Sequence, residues 1–221
     1  IGNSAFEGCS SLANITIPEG VTSIGRGAFS GCSSLANITI QEGVTSIEVS
    51  AFEGCSSLTS IIVSENNANY SSLDGVLFNK NKTELICCPG GKKGSYTLPD
   101  SVTSIGDSAF FGCRSLTSIT LPDGIRSIGD SAFYDCRSLT SITLPNGIKS
   151  IGEFAFYWCN SLITITLPDS VTSIGVYTFC ECSSLTSITI PDNARIGDYA
   201  FRGCSSLTSI IVSENNTNYS S

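Results

Sequence analysis

Cysteine is the residue type in this sequence with the most varied chemistry, and it recurs at a regular spacing. The 221-residue chain has 11 cysteines. Most of them share one position of a period of about 23 residues: Cys9, Cys32, Cys55, Cys113, Cys136, Cys159, Cys182 and Cys204. Thiolates can hold a metal ion, but several must converge at one point to do so. Because no C-x-x-C pair is present, we predict no metal site.

The repeated cysteines are also poorly suited to disulfides. If the chain stacks in successive turns, residues one period apart lie above one another with parallel Cβ vectors, which do not point toward each other as a disulfide requires. We therefore predict a column of buried thiols. Cys87, Cys88 and Cys180 lie outside this column. The adjacent pair Cys87–Cys88 is compatible with redox activity or with a buried structural role, and the sequence leaves both open.

Composition excludes several functional classes. The chain contains no histidine, which removes Ser–His and Cys–His catalytic pairs and imidazole acid–base chemistry. A net charge of −8 argues against a nucleic-acid partner. No apolar run is long enough to cross a bilayer, so we expect no membrane insertion. Asp107, Asp130 and Asp198 are best explained as solubilising charges, and we predict no catalytic residue and no cofactor.

A repeat organises the whole sequence. Its unit reads I-G-x-x-A-F-x-x-C-x-S-L-x-x-I-x-(I/L)-P-x-x-V-x-S. The units begin at Ile1, Ile24, Ile47, Ile105, Ile128, Ile151, Ile174 and Ile196. One unit has too few apolar residues to offset the entropy lost on ordering it, so units must stack and share their burial. The chain is predicted to be a solenoid.

Each unit contains recognisable strand and turn signals. Leu116, Ile119 and Leu121 alternate with polar residues and are followed by Pro122, which is typical of a short strand. Stacked strands of this kind form a parallel sheet. The Gly-containing start of each unit is too short for an α-helix and is predicted to be a turn or 3₁₀ segment. The Val-x-Ser-Ile stretch is expected to form a second short strand.

These marks resemble the BspA-like leucine-rich repeats. The residues that carry the resemblance are Ile105-Gly106, Ala109-Phe110, Cys113, Leu116, Ile119 and Leu121-Pro122. The resemblance implies a leucine-rich-repeat solenoid curved into a right-handed horseshoe, with the parallel sheet along its concave face. It also implies a surface or secreted protein of host-associated bacteria or protists that functions in adhesion and binding.

The period is interrupted once. We divide the single solenoid into regular repeats at 1–63, an irregular hairpin-like insertion at 64–95, regular repeats at 96–209, and the start of a second irregular segment at 210–221. The insertion is either a β-hairpin or an altered coil. IIVSENNANYSS and IIVSENNTNYSS, at 61–72 and 210–221, suggest a fragment of a longer array. Its exposed ends could associate end to end.

Two sets of residues are candidates for partner binding. The first set is hydroxyl-bearing residues that flank the inward isoleucine on the predicted concave face: Ser118, Thr120, Ser141, Thr143, Thr164, Thr166, Ser187 and Thr189. They could hydrogen-bond an extended peptide or a glycan, or they could simply be a solvated strand face.

The second set is aromatic. It consists of Phe111, Tyr134, Phe154, Tyr157, Trp158, Tyr177 and Tyr199, in two positions of the outer segment and at the single tryptophan between them. Stacking of units predicts two adjoining aromatic stripes. They could bind a partner or only stiffen the array.

The expected function is therefore non-enzymatic. We predict an extracellular or cell-surface recognition module that binds protein or glycan partners through the solenoid surface. The alternative is an intracellular protein-interaction scaffold, with which reduced thiols are also compatible.

Overall fold

The computed structural model describes residues 1–212, and these residues wind into a β-solenoid whose rungs we call coils, one for each repeat unit. Each regular coil has an outer turn segment, formed by the first nine residues of the unit, and up to two short strands. No residue in 1–212 is helical. The predicted solenoid with parallel sheets is confirmed. The horseshoe curvature stays a prediction.

The leucine-containing stretch of most coils forms the longer strand. These strands are β2 (Asn37–Ile40), β4 (Ser60–Val63), β10 (Ser115–Thr120), β12 (Ser141–Thr143), β14 (Thr164–Thr166), β16 (Ser187–Ile190) and β18 (Ser209–Val212). Neighbouring strands pair in parallel and in register, so that Ile119 lies beside Ile142. The register places the inward isoleucines in one column, because equivalent positions of each repeat are hydrogen-bonded neighbours.

The Ser-Ile boundary between units forms the second predicted strand. These strands are β1 (Ser23–Ile24), β3 (Ser46–Ile47), β9 (Ser104–Ile105), β11 (Ser127–Ile128), β13 (Ser150–Ile151), β15 (Ser173–Ile174) and, with Arg in place of Ser, β17 (Arg195–Ile196). They also pair in parallel, and β9, β11, β13, β15 and β17 belong to one sheet.

The outer turn segment is held by two kinds of backbone hydrogen bond. Within a coil, the N–H of Cys32 donates to the carbonyl of Phe29 three residues earlier. Between coils, the N–H of Phe29 donates to the carbonyl of Ala51 in the next coil. Two positions per segment have positive φ, as in Ser108 (φ 54°) and Gly112 (φ 69°). Such residues interrupt the uniform dihedral angles of a 3₁₀-helix. The 3₁₀ alternative is therefore wrong for residues 1–212, which have turns here instead.

Columns of identical residues fill the interior. The phenylalanine rings of successive coils stack with centroids 4.8–5.7 Å apart, as between Phe110 and Phe133. The thiol of Cys136 donates a hydrogen bond of 3.1 Å to the carbonyl oxygen of Phe110 in the preceding coil, and other cysteines of the column repeat this contact. In the interior coils the repeated cysteine is thus a small buried group that also donates to a carbonyl. The predicted column of buried thiols does not extend to its two ends, where Cys9 is exposed and Cys204 is half-buried.

The interruption contains both a hairpin and an altered coil. Strands β5 (Tyr70–Leu73) and β6 (Val76–Asn79) form an antiparallel hairpin. Its two-residue turn, Asp74-Gly75, has φ values of 51° and 78°, as a type I′ turn requires. Strand β7 (Glu84–Cys87) pairs antiparallel with β6 and parallel with β9. Strand β8 (Lys93–Thr97) pairs with β10. The chain from β7 onward is therefore a coil with a shortened outer segment.

The hairpin separates two hydrophobic cores. Leu77 of β6 packs into the core of the first coils, whereas Val76 and Phe78 pack into the core of the later coils. The two faces of one strand therefore serve different cores, because its side chains alternate. The stack of phenylalanine rings breaks between Phe52 and Phe110 at this junction, which we call the seam. Of the predicted second irregular segment, 210–212 lies in β18, and 213–221 lies outside the described residues. The predicted division of the chain at 63, 95 and 209 stays a prediction.

Candidate interaction surface

The outer turn segments place aromatic residues in a first row. Phe111, Tyr134 and Tyr157 occupy the seventh position of successive units, directly after the inward phenylalanine. Their ring centroids are 4.6 and 5.0 Å apart and the planes are within 8° of parallel. All three rings are half-buried. Partial burial raises the pKa of Tyr134 and Tyr157, and the neighbouring phenol adds to the shift of Tyr134.

A second row occupies the fourth position of later units. Phe154, Tyr177 and Tyr199 stack with centroids 5.1 and 4.9 Å apart. The backbone of all three is left-handed, with φ between 55° and 57°. Earlier coils have small residues here: Ser4, Gly27, Ser50, Ser108 and Ser131.

Trp158 joins the two rows. Its ring lies 5.3 Å from Tyr157 and 6.1 Å from Tyr134, and Phe154 lies 5.9 Å from Tyr157. The seven aromatic residues thus form one continuous group, which we call the aromatic surface. Trp158 is 38% exposed and Tyr199 is 60% exposed. The backbone of Trp158 is also left-handed, with a φ of 60°, at a position that is Gly in five other coils.

A buried carboxylate supports this surface. Asp135 is only 3% exposed and accepts hydrogen bonds from the guanidinium groups of Arg114 and Arg137. Arg137 also lies over the ring of Trp158, 5.4 Å from its centroid. The ion pair and the cation–π contact together fix the edge of the aromatic surface.

The strand face has a different character. Its candidate residues are exposed, except for the half-buried Ser118. Ser141 lies beside Thr164 and Thr143 lies beside Thr166, in the register of β12 and β14. The hydroxyl groups therefore form two parallel rows with little apolar area, apart from the exposed side chain of Ile163 in the same strand region.

The cysteines are free thiols in this structure. Burial raises the pKa of Cys55 to about 12 and that of Cys204 to about 11. Cys180, outside the column, is buried against Tyr157, and burial raises its pKa too. Cys88 is buried and Cys87 is half-buried beside it. The thiols of Cys55, Cys180 and Cys204, whose pKa is raised by burial, are protonated at neutral pH and are poor nucleophiles or metal ligands.

Other types of site find little support in the described part of the chain. Within residues 1–212, no three His, Cys, Asp or Glu side chains converge in a way that could hold a metal ion. The same residues include no helix with the length and hydropathy needed to span a bilayer.

Sequence reasoning missed two features. It named the aromatic residues but not the left-handed backbone beneath four of them, although Gly or Ser at the same unit positions in other coils was a usable signal. It also missed a cleft at the seam, because no local pattern marks where two stacks of coils separate.

The sequence matches a protein-family model over nearly its whole length. Residues 1–89 and 90–208 match the model described as BspA type Leucine rich repeat region, with six copies. None of the curated proteins compared with the chain matches it.

Solved bacterial structures share the fold. A leucine-rich repeat protein from Eubacterium ventriosum is 31% identical over 95% of this chain, with a TM-score of 0.83. A leucine rich cell surface protein from Faecalibacterium prausnitzii is 31% identical over the full chain, also with a TM-score of 0.83. The pneumococcal vaccine antigen PcpA is 28% identical over 91% of the chain, with a TM-score of 0.75. The chain spans 57%, 66% and 57% of these three structures, in that order.

Proposed function

Since the chain belongs to the BspA-type leucine-rich repeat family, we propose that it is a non-enzymatic recognition module of a cell-surface or secreted protein and binds a protein or glycan partner through the aromatic surface. One similar protein is described as a cell surface protein and another as a vaccine antigen. These descriptions support an extracellular location.

The observation that carries the proposal is the backbone beneath the exposed aromatics. Trp158 and Tyr199 have φ values of 60° and 57°. Left-handed backbone costs a residue with a Cβ roughly 1–2 kcal/mol, and bulky residues rarely adopt it. The five coils with Gly at the position of Trp158 form the same fold without that cost. Strain retained at exposed aromatic residues supports a role in binding rather than in folding.

The rows themselves offer several kinds of contact. Within a row, neighbouring rings cover each other's faces, so the edges of most rings and the tilted indole of Trp158 are available to a partner. Tyr hydroxyls add hydrogen-bonding groups beside apolar rings, a combination that is enriched at protein interfaces.

The proposal can be tested with substitutions that the repeat itself supplies. Trp158→Gly with Tyr199→Ser gives these coils the residues found at the same positions elsewhere in the chain. We expect this variant to keep its fold and to bind at least about tenfold more weakly to any partner found on an array of glycans and extracellular matrix proteins, as loss of central aromatic residues typically does.

A matched variant of the strand face provides the control. Thr143→Ala with Thr166→Ala removes two neighbouring hydroxyl groups from the parallel rows and should leave binding unchanged. If this variant loses binding while the aromatic variant retains it, the strand face is the binding site and our proposal is wrong.

The intracellular scaffold remains a second candidate because of the thiols. All 11 cysteines are free, which is typical of a reducing compartment. Burial of most of them protects thiols in an oxidising compartment as well. Fractionation of the source cells, with detection of the native full-length protein, distinguishes an extracellular from an intracellular location.

A further inference from the structure

A cleft opens at the seam because one outer turn segment is missing. In regular coils nine residues lead from the boundary isoleucine to the repeated cysteine. In the coil that begins with β7, Cys87, Cys88 and Pro89 pass directly toward β8. The cleft has a volume of about 340 Å³. This volume lies at the lower end of the range for ligand sites.

One wall of the cleft presents backbone donors. In the preceding coil, the N–H groups of Gly27 and Phe29 donate to the carbonyls of Val49 and Ala51. The equivalent N–H groups of Ser50 and Phe52 line the cleft and donate no hydrogen bond to any part of the described chain. Unpaired backbone groups of this kind are a template for pairing with another chain.

The opposite wall presents backbone acceptors. In the next coil, the carbonyls of Asp130 and Tyr134 accept hydrogen bonds from Ser108 and Gly112. The equivalent carbonyls of Asp107 and Phe111 border the cleft and accept none from residues 1–212. Between them, the carbonyl of Ala109 accepts a hydrogen bond from the N–H of Cys88 in the shortened coil.

The cleft is also negatively charged. Glu48, Glu53, Glu84 and Asp107 line it. The ion pairs found in the described chain join Asp135 to Arg114 and Arg137, so these four carboxylates have no cationic partner there. They do not converge closely enough to hold a metal ion. Their charge favours an extended, cationic occupant.

An aromatic ring adds to this preference. Tyr134 covers one face of the Phe111 ring at 4.6 Å. The other face points away from that stack, toward the cleft that Phe111 lines. An exposed ring face beside carboxylates suits a guanidinium or ammonium group.

We propose that the seam cleft binds a basic segment of a partner polypeptide, which takes the place of the missing outer turn segment. Carbonyls of the bound segment accept from Ser50 and Phe52, and its N–H groups donate to Asp107 and Phe111. To enter, the segment displaces the 3.4 Å hydrogen bond that joins the hydroxyl groups of Ser50 and Ser108 across the cleft. This is addition of a chain to an open hydrogen-bonding edge. Arginine or lysine side chains of the segment meet Glu48, Glu53 and Glu84, whereas the carboxylate of Asp107 already accepts a hydrogen bond from the N–H of Asp130 in the next coil. The site shares Phe111 with the aromatic surface but does not depend on the binding proposed there.

The test uses the whole chain and a short peptide of alternating glycine and arginine. The comparison peptide replaces arginine with citrulline, which has nearly the same shape without the charge. We expect titration calorimetry to detect binding of the arginine peptide and no binding of the citrulline peptide. Hydrogen exchange at the Ser50 and Phe52 amides should slow by about tenfold when it binds, since new hydrogen bonds protect them.

Two charge-matched variants decide whether binding is local. Glu48→Gln with Glu84→Gln should weaken binding of the arginine peptide roughly tenfold, because each partly exposed ion pair contributes about threefold. Glu19→Gln with Glu42→Gln removes the same charge from exposed turns elsewhere and should change affinity less than about twofold.

Several results would overturn the proposal. Equal losses in the two double variants indicate unspecific attraction to the net negative charge. Equal binding of the citrulline peptide excludes cation recognition, and binding without protection of Ser50 and Phe52 excludes backbone pairing. Trp158→Gly should leave peptide binding unchanged, so failure of this proposal and failure of the one for the aromatic surface are distinguishable.

Discussion

The phenol oxygen of Tyr70 lies 2.8 Å from the backbone nitrogen of Ile47 and accepts its hydrogen bond. Ile47 belongs to β3, the last strand of the two-stranded β1–β3 sheet. Its N–H would otherwise face the seam without a partner. A side chain of the inserted hairpin thus closes the edge of the first stack of coils.

Tyr70→Phe removes this closure. We expect the free energy of unfolding to fall by about 1–2 kcal/mol, since a partly buried N–H loses its only partner. Urea unfolding followed by circular dichroism measures the change. An unchanged midpoint would show that water replaces the phenol without cost.

Tyr96→Phe should have the opposite sign. Tyr96 occupies the inward isoleucine position in β8 and is 6% exposed. Its hydroxyl is buried without a hydrogen-bond partner among the described residues. Removing an unsatisfied buried hydroxyl is expected to stabilise the chain by roughly 1 kcal/mol. The same unfolding measurement compares it with Tyr70→Phe, and destabilisation by both changes would contradict the assignment of an unsatisfied hydroxyl to Tyr96.

The thiol column predicts a loss of stability at alkaline pH. Burial raises the pKa of Cys55 from 9.0 to about 12, so the folded chain retains a proton that the unfolded chain releases. The stabilising effect is complete below pH 9 and is lost as the pH rises toward 12. At pH 10, Cys55 alone should account for a loss of about 1 kcal/mol relative to pH 8.

Cys55→Ala is the matched variant for this prediction. It should lower stability at pH 8 because a buried group is lost, but its further decline between pH 8 and pH 10 should be smaller than that of the wild type. Urea unfolding at both pH values measures the two slopes. Identical slopes would mean that Cys55 does not titrate differently in the folded and unfolded chain.

The buried stack of phenylalanine rings and the aromatic surface should respond differently when one of their rings is removed. Phe133 is fully buried between Phe110 and Phe156, and Phe133→Ala should cost roughly 3–5 kcal/mol. Trp158→Gly relieves left-handed strain of about 1–2 kcal/mol while losing contacts with Tyr157 and Arg137.

For Trp158→Gly these two effects largely cancel, so the net change should stay within about 1 kcal/mol. Thermal unfolding of the two variants provides the comparison. A large drop in the melting temperature for Trp158→Gly would assign the aromatic surface to folding and remove the main support for its role in binding.

The repeat pattern by itself determined the coil. Leu116, Ile119 and Cys113 recur at one spacing, and only stacking in register buries all of them at once. The inward columns, both classes of strand and the adjacency of Tyr134 and Tyr157 follow from that one condition. These features were predictable because each depends on local spacing repeated along the chain.

The tertiary structure alone decided what happens at the seam. Whether Ser50 and Phe52 find partners depends on how the next coil is built, and the β5–β6 hairpin and the shortened segment at Cys88 control that. Hydrogen bonds between coils are not local, so no pattern in one unit reveals their loss. The positive φ of Trp158 accompanies hydrogen bonds of the whole turn segment, including the one that its own N–H donates to the carbonyl of Cys180 in the next coil.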